Sequence, residues 1–202
     1  MPTIDESHFE QFLQHLHRQV HLTDAEIALL RDRLKLRTYL KGQYILQEGD
    51  VYLYQTFVLS GRVRTFYLDG SGNEHVVAFG IENWWVGDIC SFANQEPAAY
   101  NTQCLETTRV IQIGFEDMEH LFTTIPKLER YFRLIIQKAY GNMSKRLLNN
   151  HSMVAKERYL LFREHYPQFV DRYPAYMIAS YLGITKEFLS SIRKEVMVEE
   201  KS

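Results

Sequence analysis

The 202-residue sequence predicts an α+β chain: N-terminal helices, a double-stranded jelly-roll barrel, one long helix and a helical C-terminal module. Three observations predict it. Short runs rich in Val, Ile, Tyr and Phe, broken by glycine turns, fill Leu36 to Gly114. After Pro126 the apolar residues recur at intervals of three and four instead. Ala175 to Lys194 then reads as two short helices joined at a glycine.

The elements follow in order. Phe9, Phe12, Leu13, Leu16 and Val20 have helical spacing. Thr23-Asp-Ala-Glu26 is a capping box, in which a hydroxyl and a carboxylate satisfy each other's orphan backbone N–H groups, so a second helix runs to about Leu34. The strand region is cut at Lys41-Gly42, Glu48-Gly49-Asp50, Ser60-Gly61 and Asp69-Gly-Ser-Gly-Asn73. Arg62 to Leu68 and Glu74 to Phe79 flank the last turn as a hairpin. Many short strands at close intervals give a small barrel or jelly roll. Phe115 to Thr123 forms a short helix, and Pro126 suits the start of a long one. Along it Phe132, Ile136, Ala139, Met143 and Leu147 make a stripe, with Leu128, Ile135 and Leu148 beside them. Such a stripe is either the seam of a two-helix dimer or a face that packs on the chain's own barrel. Ala155 to Tyr166 is another amphipathic helix, and Pro167 and Pro174 bracket the approach to the last pair.

That pair reads as a helix-turn-helix, which lays its second helix in the DNA major groove. Ala179 is small where two helices cross closely, and Gly183 suits a turn that needs positive φ. Ile178, Leu182, Ile184, Leu189 and Ile192 seal the two helices, and Thr185 can cap the second. Its first turn then offers Lys186 and Glu187 to base edges, with Ser191 one turn on. Thr185, Ser190, Arg193 and Lys194 are placed to meet phosphates. Lys186 and Glu187 also suit a solvated helix start.

Composition narrows the classes. A net charge of −2 argues against a non-specific nucleic-acid coat. Residues 153–202 carry eight Lys/Arg and seven Asp/Glu, so a DNA module there is near neutral and relies on a local patch. No apolar run spans a bilayer, and the acidic start lacks an apolar signal core, so a cytoplasmic protein without a membrane role is expected. Cys90 and Cys104 lack metal-ligand spacing.

This order of elements resembles the Crp/Fnr family of bacterial regulators. Lys41-Gly42-Gln43-Tyr44-Ile45, Glu48-Gly49-Asp50, Phe57 to Arg62, Trp85-Val-Gly-Asp88 and Ile178 to Thr185 carry the likeness. The resemblance implies a cyclic-nucleotide-binding-like sensor domain over 1–125, a dimerisation helix over 126–152 and a helix-turn-helix DNA-binding domain over 153–202. It places an effector pocket at Trp85, Gly87, Asp88, Ile89, Ala98, Ala99 and Tyr100. Members that bind cyclic AMP use a Gly-Glu pair and, some ten residues later, an Arg beside Ser or Thr. Here Asp88 replaces the Glu, and Ala98-Ala99-Tyr100 stands where the Arg falls. An Asp without a cation partner repels an anionic phosphodiester, which argues against cyclic AMP. The effector stays unidentified: an uncharged or different ligand, or a barrel kept as a scaffold, is open. Trp84, Trp85, Phe92 and Tyr100 either line an aromatic pocket or fill the core.

Two distant cysteines do not supply an iron–sulfur cluster, and His75 alone makes a poor haem ligand. His15, His17 and His21 do not gather on one helix face as a metal site. No cofactor or metal is expected. Serine at 191 stands where family members carry an Arg, and only Glu195 to Ser202 remains for a β-wing, which makes it a truncated wing with an acidic tail.

The leading reading is a homodimeric, sequence-specific transcription regulator whose partners are double-stranded DNA, itself and RNA polymerase. The competing reading is a ligand- or protein-interaction module with degenerate DNA binding. An enzyme is the third: a cupin needs several histidines, and the strand region has only His75. There is no Gly-x-Ser-x-Gly elbow and no phosphate-binding loop.

Overall fold

A computed structural model describes residues 5–200. The chain divides into two compact units. The first comprises the residues up to Tyr67 together with Val77–Gln137; the second comprises Leu68–Val76 and the chain from Lys138 onward.

In the first unit, α1 (Glu6–His17) starts at Asp5, whose carboxylate accepts from the His8 N–H. The capping box then opens α2 (Asp24–Arg33): Thr23 N–H donates to Glu26 at 2.7 Å and Glu26 N–H to Thr23 Oγ1 at 3.3 Å. The strands that follow form two four-stranded sheets. One runs in the order β1 (Lys35–Tyr39), β8 (Thr108–Gly114), β3 (Tyr54–Ser60), β6 (Trp85–Val86). The other runs β2 (Tyr44–Leu46), β7 (Asn101–Cys104), β4 (Val63–Leu68), β5 (Glu74–Gly80). The expected hairpin is therefore β4–β5. The expected barrel is realised as a jelly roll of two sheets and is not closed: among the described residues no strand pairs across from one sheet to the other. At three and two residues, β2 and β6 are too short to carry a continuous ladder.

One face of the first sheet presents Phe57, Leu59, Ile111 and Ile113, which cluster with Phe9, Phe12 and Leu16 of α1. Met118 and Leu121 of α4 (Phe115–Thr124) join them, as do Leu128, Tyr131 and Phe132 from the start of α5 (Pro126–Ser152). The alternation of strand residues supplies this face and the period of the helices supplies its cover. Phe12 meets Phe57 edge-on at 5.0 Å between ring centres. A short helix that the sequence reading did not anticipate, α3 (Ile89–Asn94), follows β6.

In the second unit, the later part of α5 is followed by α6 (Ala155–His165), α7 (Pro167–Arg172), α8 (Ala175–Leu182) and α9 (Lys186–Glu199). Tyr159, Phe162, Phe169, Met177, Ile178, Leu189, Ile192 and Val196 are buried there. Pro167 starts α7, since its missing N–H is unpaired in a first turn anyway. Helix α9 runs on through Glu195 to Glu199, so these residues, expected in a truncated wing, are helical; Lys201 and Ser202 lie outside the described residues.

Candidate nucleic-acid interface and effector segment

The turn between α8 and α9 begins with a C-cap. Gly183 adopts φ +68°, and its N–H reaches the Ser180 carbonyl at 3.1 Å. The Ile184 N–H reaches the Ala179 carbonyl at 3.0 Å. This double closure ends a helix with a left-handed residue, where glycine has no steric cost. Thr185 then caps α9, its hydroxyl accepting from Phe188 N–H at 3.2 Å. Ala179, Ile178, Leu182, Leu189 and Ile192 are buried, as the pattern predicts, whereas Ile184 in the turn is half-buried.

Of the residues expected to meet DNA, Thr185, Lys186, Glu187, Ser190, Ser191 and Lys194 are exposed. Glu187, Ser190, Ser191 and Lys194 share one face of α9 through their three- and four-residue spacing. The Ser191 hydroxyl donates back to the Glu187 carbonyl at 3.2 Å, which leaves its lone pairs outward. Arg193 departs from the expectation. It is half-buried with its guanidinium 5.7 Å from the Tyr159 ring centre, because position 193 lies beside the buried stripe of Leu189, Ile192 and Val196. The acidic end of the chain is also engaged. Lys156 of α6 donates to Glu195 at 2.7 Å and to Glu199 at 2.6 Å, and Arg163 pairs with Glu200. These carboxylates hold α9 to α6 and hold the Lys156 ammonium above its ordinary range. The sequence reading passed over Phe188, 52% exposed on the first turn of α9; its sign was an aromatic outside the 189–192–196 period.

The residues assigned to an effector pocket lie along one segment, and at Gly87 the adjacent space is taken by Tyr52. Tyr52 lies over Gly87: a Cβ there would stand 2.3 Å from the tyrosine ring, and φ is +118°. The Tyr52 hydroxyl donates to the Val86 carbonyl at 2.7 Å, its N–H donates to Ser91 Oγ at 2.9 Å, and burial pushes its phenol well above the usual range. Asp88 is buried and caps α3. One carboxylate oxygen accepts from Cys90 and Ser91 N–H at 3.0 and 3.1 Å, the other from Ala99 N–H at 3.2 Å. The Asp88 carboxylate, expected to lack a cation partner, is answered by three backbone donors. Ala98 is buried, and its N–H and carbonyl are taken by Asp50 and Gly49. Trp85 serves the core: its indole N–H donates to Tyr131 Oη at 2.9 Å, and its ring lies 4.8 Å from Phe132. Ile89 points outward, 45% exposed, and Tyr100 is half-buried.

On α5, Ile136, Ala139, Met143 and Leu147 are exposed, and Tyr140, which the sequence reading omitted, joins their row at 67% exposure. Phe132 departs from the expected stripe: it is 8% exposed and packs against Trp85 and Phe122. The described residues contain no cluster of three or more His, Cys, Asp or Glu suited to a metal, and no helix long and apolar enough to cross a membrane.

Comparison with known proteins agrees with this architecture. Residues 36–124 match the family described as the cyclic nucleotide-binding domain. The chain is 28% identical over 161 residues to the transcriptional activator protein Anr of Pseudomonas protegens, covering 72% of this chain and 65% of the relative. It is 30% identical over 122 residues to the transcriptional activator protein FnrA of Stutzerimonas stutzeri, covering 60% and 49%. The chain therefore spans about half to two thirds of the length of these curated relatives. Among solved structures, FixK2 from Bradyrhizobium japonicum superimposes with a TM-score of 0.70 at 16% identity, covering 83% of this chain and 86% of that one. At that identity the likeness establishes the fold.

Proposed function

We propose that this chain, a homologue of Crp/Fnr-type regulators, is itself a sequence-specific, DNA-binding transcription regulator that acts as a homodimer. The observation that carries the reading is the α8–Gly183–α9 unit, with its capped second helix and an exposed face of short polar and charged side chains. Lys186 donates to guanine, Glu187 accepts from cytosine, and Ser190, Ser191 and Lys194 approach base edges and phosphates. Arg193 has no part in this contact set.

The row Ile136, Ala139, Tyr140, Met143 and Leu147 supports dimerisation through α5. Burying a large apolar side chain is worth about 1.5–3 kcal/mol, so pairing this row offsets a substantial association cost. Two-fold pairing then presents two recognition helices to half-sites about 34 Å apart. In this reading residues 1–125 are the sensor domain, 126–152 the dimerisation helix and 153–202 the DNA-binding domain. In this reading the effector is not cyclic AMP, which is supported by Tyr52 lying over Gly87 and by the backbone bonds of Asp88 and Ala98. The site of action is the bacterial cytoplasm, with RNA polymerase as the partner that activation requires.

Selection of genomic DNA fragments on the purified protein, followed by affinity measurement across salt concentrations, tests the reading. Enrichment of a roughly palindromic site with a steep salt slope is expected. Salt-dependent binding without sequence preference would refute it and favour an interaction module.

A further inference from the structure

The second unit contains a cavity of about 150 Å³ between α5, α6 and α8. Lys145 and Arg146 reach it from α5 and Arg158 from α6. Phe162, Tyr166 and Tyr181 give it an aromatic wall. No carboxylate lines it.

The donors are arranged, not merely present. Arg158 donates to the Met153 carbonyl at 2.9 Å and to the Leu182 carbonyl at 3.3 Å, which fixes its guanidinium between the end of α5 and the end of α8. Its Nε is buried without a hydrogen-bond partner. A guanidinium held in this way keeps its positive charge at the cavity wall, where an anion is favoured. The Arg146 guanidinium lies 4.4 Å from the Tyr181 ring centre, so a cation and an aromatic face border the same space. Lys145 is exposed beside them. A cavity with cations on its wall and no carboxylate concentrates anions.

Size narrows the class. An engineered cavity of roughly 150 Å³ holds benzene, whereas drug- and cofactor-sized ligands occupy about 300–1,000 Å³. The volume matches about one ring, and an inorganic ion leaves the aromatic wall unused. We propose that this cavity is an effector site for a compact organic anion, about one ring in size and carrying one carboxylate. The carboxylate meets Lys145, Arg146 and Arg158, and the ring lies against Tyr181 and Phe162. The occupant touches α5 on one side of the Met153–Val154 joint and α6 and α8 on the other, so it favours one setting of that joint. This regulatory consequence rests on the DNA-binding reading; the binding itself does not.

Benzoate is the probe, titrated into the full-length protein by calorimetry and by NMR. Saturable binding at one site per chain is expected, with a Kd of about a millimolar, the range for so small a ligand. Benzamide, the uncharged analogue, should bind at least tenfold more weakly, and so should inorganic phosphate. Lys145→Glu, on an exposed side chain, should cost at least tenfold in benzoate affinity and leave the circular dichroism spectrum unchanged. Arg146→Gln should act in the same direction. Absence of saturable binding, equal binding of benzamide or phosphate, or indifference to both substitutions would overturn the site. If benzoate binds as described but saturating benzoate leaves the affinity for a selected DNA site unmoved, the regulatory consequence fails and the site stands. If no selective DNA binding exists, the benzoate titration still decides the site.

Discussion

Replacing Asp88 with alanine separates two roles for the most conspicuous carboxylate of the jelly roll. The carboxylate caps α3 through Cys90 and Ser91 N–H and reaches across to Ala99 N–H, at 3.0, 3.1 and 3.2 Å. Loss of an N-cap costs about 1 kcal/mol. The Ala99 donor lies on an exposed residue and partly recovers water, so stranding it adds about 1 kcal/mol, the low end for an orphaned group. The sum is about 2 kcal/mol. With a urea slope of about 1–3 kcal/mol per molar, the midpoint falls by roughly 1 M. Asp88→Asn keeps an acceptor oxygen but loses the charge, and about half the shift is expected. Trp84 and Trp85 are the protein's two tryptophans and both lie in the first unit, so their fluorescence reports the unfolding of that unit alone. An unchanged or raised midpoint would refute the reasoning, since a carboxylate held unpaired for a ligand costs stability and its removal is neutral or favourable.

Three further outcomes follow from the geometry. Gly183→Ala places a Cβ in open space at φ +68°, so the penalty is purely conformational; a loss of about 1–2 kcal/mol is expected in thermal denaturation, and no loss would mean the turn is not left-handed in solution. Met143→Glu puts a charge in the exposed apolar row of α5 and should convert a dimer to a monomer in sedimentation, with the helical spectrum retained; an unshifted sedimentation coefficient would remove this row from the dimer contact. Lys186→Ala should weaken binding to a selected DNA site by about 1–3 kcal/mol and weaken non-specific binding much less, measured by fluorescence anisotropy. Equal loss on both would sink the base-reading role.

The sequence by itself determined what local physics determines. The Thr23–Glu26 capping box, the β4–β5 hairpin around Asp69 to Asn73, the period of α1 and the turn at Gly183 each depend on residues within a few positions of one another. Such signals survive reading along a line, because a cap, a turn or an apolar stripe states its own requirement. The short helices α3 and α7 escaped, since six residues do not establish a period. What only the tertiary structure decided lies between residues far apart in the chain. Tyr52 reaches Gly87 and takes the space beside it; the indole of Trp85 spends its N–H on Tyr131. Arg193 turns to Tyr159, and Glu195 and Glu199 turn to Lys156. Phe132, in step with an exposed row, is drawn under Trp85 and Phe122. Residue type makes such contacts permissible, but packing selects among permissible partners, because a side chain takes the partner that the fold delivers to it. That is why the elements were legible in the sequence, while the use of each polar group, and the cation-walled cavity between α5, α6 and α8, appeared only once the chain was folded.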